Sequence, residues 1–244
     1  MPRIKVIFFD AAGTLFHVKG SVAEIYLRYA ERYGVKRTDE LMTAVKGAFA
    51  RAFTDAPPPV FAVSDAAEIK RCERAWWFDI VHAVFYRVGM FEGFDEYFEE
   101  VFEAFDGPTC WVLYPETLSV LRTLKQQRYE LGIISNFDSR LFNVLRGLGI
   151  AEQFDTVTIS SLAHAAKPAP QIFQCALEKH AVDPEEGSHV GDSLRDDAEA
   201  ASQAGLTGIL IDRQSRPAGQ REHTSGRIST IRTLEELPQL VSSL

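Results

Sequence analysis

Ile4-Lys5-Val6-Ile7-Phe8-Phe9-Asp10-Ala11-Ala12-Gly13-Thr14-Leu15 is the stretch on which the reading of this chain turns. It begins as a nearly unbroken apolar run, rich in β-branched and aromatic side chains, with Lys5 as the only charge before Asp10. A run so short and so apolar is the pattern of a strand covered on both faces, as in a parallel sheet. It stops at a carboxylate followed by two alanines, a glycine and a threonine. Ligands of open α/β sheets bind beyond the carboxyl ends of the strands, so Asp10 stands where a site is expected, although an aspartate there also caps turns.

Downstream of this strand the pattern turns helical. Phe16 to Gly20 reads as a loop, and Val22, Ile25, Tyr26 and Tyr29 then recur at helical spacing until Gly34. Thr38 or Asp39 opens a second helix, which the three prolines 57–59 end. Asp65 opens a longer one carrying Trp76, Trp77, Ile80 and Val84, and a short one follows from about Phe94 to Ala104. No strand is expected between Phe16 and Phe105. Beyond Gly107 short apolar runs alternate with helical patterns: strands at 131–134, 154–159, 188–190, 207–211 and 228–231, and helices at 115–127, 139–148, 171–180 and 196–204. Arg213 to Arg227 reads as a polar loop, and Thr233 to Leu237 as a helical turn interrupted by Pro238. Alternation of this kind predicts an α/β fold with a Rossmann-like, doubly wound parallel sheet. The core is expected to comprise residues 1–16 and 107–244, with an inserted all-helical domain at 17–106.

Composition narrows the function. At 244 residues, 46% hydrophobic and 25% charged, the chain is long enough to bury a core without disulfides or structural metal. A net charge of −8 argues against nucleic-acid binding, which needs a basic face. Cys72, Cys110 and Cys175 are scattered and odd in number, which fits free thiols and a cytoplasmic location. The first residues lead straight into a strand without a signal-peptide pattern, and no apolar run approaches the roughly 20 residues of a membrane span.

The polar residues fall in one kind of place. Asp10, Ser135 with Asn136, and Asp192 each end an apolar strand, and Lys167 follows another at the start of a helix. In a parallel sheet these ends share an edge, so the side chains can converge. Two carboxylates with hard oxygen donors suit Mg²⁺. A lysine and a hydroxyl suit a phosphoryl group, and a carboxylate held against it can attack phosphorus.

In order and spacing, D-A-A-G-T-L, I-I-S-N, A-K-P-A-P and V-G-D-S-L-R-D-D resemble the four motifs of the haloacid dehalogenase (HAD) superfamily, and the helical insert resembles the C1-type cap of its subfamily I. The resemblance implies a hydrolase acting on a phosphorylated small molecule, as monomer or homodimer. It implies Asp10 as nucleophile and Mg²⁺ ligand, the backbone carbonyl of Ala12 as a second ligand, and Ser135 and Asn136 at the phosphoryl oxygens. Lys167 neutralises Asp10 and the phosphate, and Asp192 binds the metal. The last acidic position is Asp196 or Asp197, of which Asp197 matches the spacing better.

One position departs from the pattern. Family phosphatases carry a second aspartate two residues after the nucleophile, where this chain has Ala12. General acid–base help is worth about 10²–10⁴-fold. Four readings follow: a phosphatase restricted to good leaving groups, a phosphonatase using a lysine from Lys19, Lys36, Lys46 or Lys70, a 2-haloacid dehalogenase, or a silent binding protein. His17 and His164 are candidate pocket groups or ordinary loop histidines, and His189 reads as a core histidine.

Overall fold

The computed structural model describes residues 4–213 and 228–244. The polar loop expected after Arg213 thus lies, apart from that residue, outside the described residues. The chain runs β1 (Val6–Phe9), β2 (Phe16–Val18), then helices α1 (Val22–Ala30), α2 (Asp39–Asp55), α3 (Ala66–Val88) and α4 (Phe94–Ala104). It continues through β3 (Trp111–Leu113), α5 (Thr117–Gln126), β4 (Glu130–Ser135), α6 (Leu141–Gly147), β5 (Thr156–Ile159), α7 (Ser160–Ala163) and α8 (Pro170–His180). The last elements are β6 (Gly187–Gly191), α9 (Ala200–Gln203), β7 (Thr207–Ile211), β8 (Ile228–Ile231) and α10 (Leu237–Ser243).

The main sheet is parallel, in the order β5-β4-β1-β6-β7-β8. β1 is central and its four residues are fully buried, which is why its sequence shows no polar alternation. One apolar cluster covers one face through α5, α6 and α10, and a second covers the other through α8 and α9. From β1 the chain builds outward to β5 on one side and, through β6, to β8 on the other. The order reverses beside β1, and a crevice at such a point is where open α/β sheets hold ligands.

The helices between β2 and β3 have an apolar cluster of their own, built from residues such as Tyr26, Val81, Phe85, Tyr97 and Phe98. Local signals set their starts. Ser21 and Glu24 cap α1 reciprocally, the Thr38 hydroxyl accepts from Leu41 N, and the Asp65 carboxylate accepts from Ala67 N and Glu68 N.

Three sequence expectations are corrected. Phe16–Val18 is a strand, paired antiparallel with Trp111–Leu113. Three-residue strands whose partners lie far apart in sequence leave no periodicity to read. The segment 196–204 is not one α-helix: residues Leu194–Glu199 form a π turn that runs into α9, with Asp197 N and Ala198 N both donating to Ser193 O. Pro238 does not interrupt a helix but sits in the first turn of α10, where its missing N–H costs nothing.

Candidate active site

Asp10 follows β1 with its side chain buried. Its Oδ1 accepts from Ser135 Oγ at 3.0 Å, at the end of neighbouring β4, and from Lys167 Nζ at 2.7 Å. Lys167 Nζ also donates to Asp197 Oδ1 at 2.5 Å. Asn136 fixes the lysine's backbone from both sides: Lys167 N donates to Asn136 Oδ1 at 2.7 Å and Asn136 Nδ2 donates to Lys167 O at 2.9 Å. Asp192 follows β6 on the other side of β1. Its carboxylate lies against Gly13 (φ +94°), where a Cβ would stand 2.3 Å from Asp192 Oδ2, so glycine is required twice over, for conformation and for room.

Asp196 and Asp197 are distinguished by position. Asp197 is 2% exposed and faces Lys167, with Oδ2 accepting from Ser193 N at 2.9 Å. The Asp196 backbone and carboxylate instead engage the Ser193 hydroxyl. Asp197 also needs Gly191, where a Cβ would stand 2.1 Å from its carboxyl carbon. His189, within β6, places Nε2 2.9 Å from Asp197 Oδ1. Sequence reasoning missed this tie, because a histidine inside a short strand looks like any core residue.

The electrostatics follow from burial. Asp10, Asp192 and Asp197 present one carboxylate oxygen each within 4.8 Å of one another. One ammonium stands against three carboxylates. Burial raises the Asp10 pKa, and the Lys167 charge offsets only part of that. Burial alone would lower the Lys167 pKa, but Asp10 and Asp197 reverse it and hold the ammonium firmly protonated. Burial likewise works against the charge of Asp197, yet Lys167 and His189 hold that carboxylate well below its usual range. Asp192 is more open to solvent; partial burial of its carboxyl group, then the charges of Asp10 and Asp197, push it up to about 7. Three hard oxygen donors facing one ammonium make a set that suits a divalent cation.

Above this polar floor lies a cavity of about 310 Å³ between the sheet edge and the helical bundle. Asp10, Ser135, Asn136 and Arg140 are its charged and strongly polar lining; the rest is mostly aromatic, with the Tyr26 hydroxyl as its polar group, and Ala12 is part of it. Arg140 is already engaged. Its Nε and Nη2 donate to Asp138 at 2.9 and 2.6 Å, Nη1 donates to Phe102 O at 3.2 Å, and its guanidinium lies over the rings of Phe102 and Trp77.

Two residues of α3 fasten the bundle to the site loops. Trp77 Nε1 donates to Asp138 Oδ2 at 2.5 Å. The buried Glu73 carboxylate accepts from Ser139 N at 2.9 Å, from Ser139 Oγ, and from Ser161 Oγ at 2.5 Å. Glu73 was readable in principle, since a glutamate stands on the buried stripe Ile69-Glu73-Ile80-Val84. The other candidates lie elsewhere. Lys19, Lys36, Lys46 and Lys70 are exposed and none lines the cavity. His17 packs on Tyr114, and His164 Nδ1 lies 3.0 Å from Phe61 O in the loop before α3.

A family model described as a hydrolase, haloacid dehalogenase-like hydrolase, matches residues 4–205. The haloacid dehalogenase-like hydrolase domain-containing protein 3 of Danio rerio is 29% identical over 240 residues, covering 96% of this chain and 95% of its own. Among solved structures, the HAD-hydrolase YfnB of Bacillus subtilis, bound to magnesium, superimposes with a TM-score of 0.73 at 19% identity over 98% of this chain and 99% of that one. The L-2-haloacid dehalogenase of Xanthobacter autotrophicus does so with a TM-score of 0.67 at 21% identity, covering 99% of both chains. No helix among the described residues is long and apolar enough to cross a membrane.

Proposed function

The chain belongs to the haloacid dehalogenase-like hydrolase family, and we propose that it is a Mg²⁺-dependent hydrolase of small phosphorylated molecules that uses Asp10 as nucleophile. The observation that carries this reading is the buried Asp10–Lys167–Asp197 chain, with Asp192 beside it at the sheet's switch point. Two buried carboxylates sharing one ammonium, with a third and more open carboxylate beside them, are expensive to keep for structural reasons alone. A divalent cation supplies the missing positive charge and withdraws electron density from the phosphoryl oxygens. Asp10, Asp192 and the backbone carbonyl of Ala12 would hold it, with Asp197 behind them.

The residues divide the work as follows. Both hydrogen bonds described for the Asp10 carboxylate fall on Oδ1, which leaves Oδ2 to approach phosphorus. Ser135 and the Lys167 ammonium steady the phosphoryl oxygens, and Asn136 holds the lysine loop in place. The helical bundle acts as a C1-type cap and excludes water from the reacting atoms. Nothing at position 12 protonates the leaving oxygen, so turnover favours substrates whose leaving group departs unaided.

A second reading is displacement at carbon, as in a 2-haloacid dehalogenase; the alanine at position 12 and the apolar cavity favour it. The three convergent carboxylates of the floor, which suit a metal, favour phosphoryl transfer. Phosphonatase chemistry lacks its lysine, because the four candidates stand away from the cavity. The test is phosphate release from acyl phosphates and phosphate esters, with and without Mg²⁺, by wild type and Asp10→Asn. Mg²⁺-dependent release lost in Asp10→Asn is the expected result. Full activity in Asp10→Asn overturns the assignment.

A further inference from the structure

We infer that the substrate is a monophosphate whose phosphoryl group is carried by an aromatic or otherwise apolar body through a weakly basic oxygen, an acyl or aryl phosphate with no second charge. The inference rests on the reading of Asp10 as the phosphoryl acceptor. It comes from the cavity above that floor. Tyr26, Phe49, Phe98, Phe105 and Trp111 belong to its wall, and apart from Arg140 and the Tyr26 hydroxyl its polar groups stand at the floor with Asp10. The Arg140 charge is matched by Asp138, and three of its five N–H donors are spent on Asp138 and Phe102 O, so it offers a second phosphate or a carboxylate no net positive charge. The several hydroxyls of a sugar, or a second anion, placed here lose their water for fewer partners than they need, at about 1–3 kcal/mol for each unpaired neutral group and more for a charge. An apolar cavity of ~150 Å³ accommodates benzene. About 310 Å³ therefore has room for a ring system beside the phosphoryl end.

Ala12 points the same way independently. It lies in the wall of the cavity, where its methyl group offers no proton. The step then runs on the leaving group's own stability. Asp10 Oδ2 bonds to phosphorus as the bond from phosphorus to the leaving oxygen breaks, and that oxygen departs as a carboxylate or phenolate. Water next adds to phosphorus, the bond from Asp10 to phosphorus breaks, and both hydrogens of the water leave on inorganic phosphate, which returns one to the medium or to a phenolate. A carboxylate or phenolate departs readily in this way and an alkoxide does not.

The experiment is a comparison of kcat/KM with Mg²⁺ for acetyl phosphate, benzoyl phosphate, phenyl phosphate and glucose 6-phosphate, repeated with Phe98→Asn. Acetyl and benzoyl phosphate share a leaving-group type and differ in apolar body. Benzoyl phosphate is expected to exceed acetyl phosphate by at least about tenfold, a ratio that Phe98→Asn reduces, and glucose 6-phosphate is expected to be the poorest of the four. The ranking of benzoyl against phenyl phosphate separates an acyl from an aryl substrate. Equal kcat/KM for acetyl and benzoyl phosphate, or preference for glucose 6-phosphate, overturns the inference and leaves the Asp10 mechanism standing. Failure of all four to turn over overturns both.

Discussion

The floor and the roof of the cavity are built on opposite physical plans. The floor is polar, buried and tied together: Asp10, Ser135, Lys167 and Asp197 form one hydrogen-bonded chain drawn from the ends of parallel strands and the loops that follow. The roof is a separate helical unit with its own apolar core, and it offers the cavity aromatic rings and branched aliphatic groups. The floor's geometry is set by the sheet register, which a point substitution in the roof does not move. The roof's surface is set by side chains that change shape and polarity one at a time. Chemistry is therefore fixed where the backbone is rigid, and selectivity is set where single residues are free to vary.

The sharpest way to break this division is to disarm the floor alone. Asp10→Asn is expected to lower turnover at least about a thousandfold, as loss of a nucleophile does, while the fold and the roof persist. Phosphate release and circular dichroism check the two halves. Ala12→Asp reaches from the wall toward the reacting centre and should raise hydrolysis of alkyl phosphates by about 10²–10⁴-fold, with little gain for acyl phosphates. A gain equal for both classes would mean that leaving-group departure is not what Ala12 limits.

Lys167→Met leaves Asp10 and Asp197 buried against each other. It should cost about 3–5 kcal/mol of stability, read as a lowered denaturant midpoint. Glu73→Ala addresses the seam between the two regions. It strips the partners from Ser139 N, Ser139 Oγ and Ser161 Oγ, and should cost about 1–3 kcal/mol and loosen the bundle, read as a lowered denaturant midpoint and a change in tryptophan fluorescence.

The smallest effect expected is on pH. The Asp192 carboxyl is pushed up to about 7 by its partial burial and by Asp10 and Asp197, so in the metal-free protein it is mostly protonated below that pH. A cation must displace that proton. Apparent Mg²⁺ affinity should thus rise with pH, by up to about tenfold per unit below 7, and level off above it. Metal titrations at pH 6 and pH 8 measure the difference. The same shift makes the metal-free fold less stable as pH rises from about 4 to about 7, since the folded state holds the proton longer than the unfolded chain.

The floor was far more legible in the sequence than the roof. β1 could be read because burial on both faces erases polar alternation, and Asp10, Ser135, Lys167 and Asp192 stood out because each interrupts or follows such a run. Spacing favoured Asp197 over Asp196, but the different partners of the two could not be read, because a π turn carries them and helical periodicity does not describe it. β2 and β3 were invisible, being three residues each and paired across the whole bundle. The aromatic wall was visible only as a composition. Phe98 and Trp77 carry the same apolar stamp as Phe85, yet the first two line the cavity and the third is interior to the bundle. That distinction depends on how four helices rotate against one another, which no single stretch of sequence encodes.

The measurement that bears most directly on the account is a turnover of the best substrate of that series in ¹⁸O-water, followed by mass analysis of the phosphate and of the peptide containing Asp10. Attack of Asp10 on phosphorus predicts label in the released phosphate and none in the Asp10 carboxylate. Label in Asp10 would mean that water opens the Asp10 intermediate at its carboxyl carbon and not at phosphorus, as an ester left by displacement at carbon does, and would contradict the sequence of steps assigned to the floor.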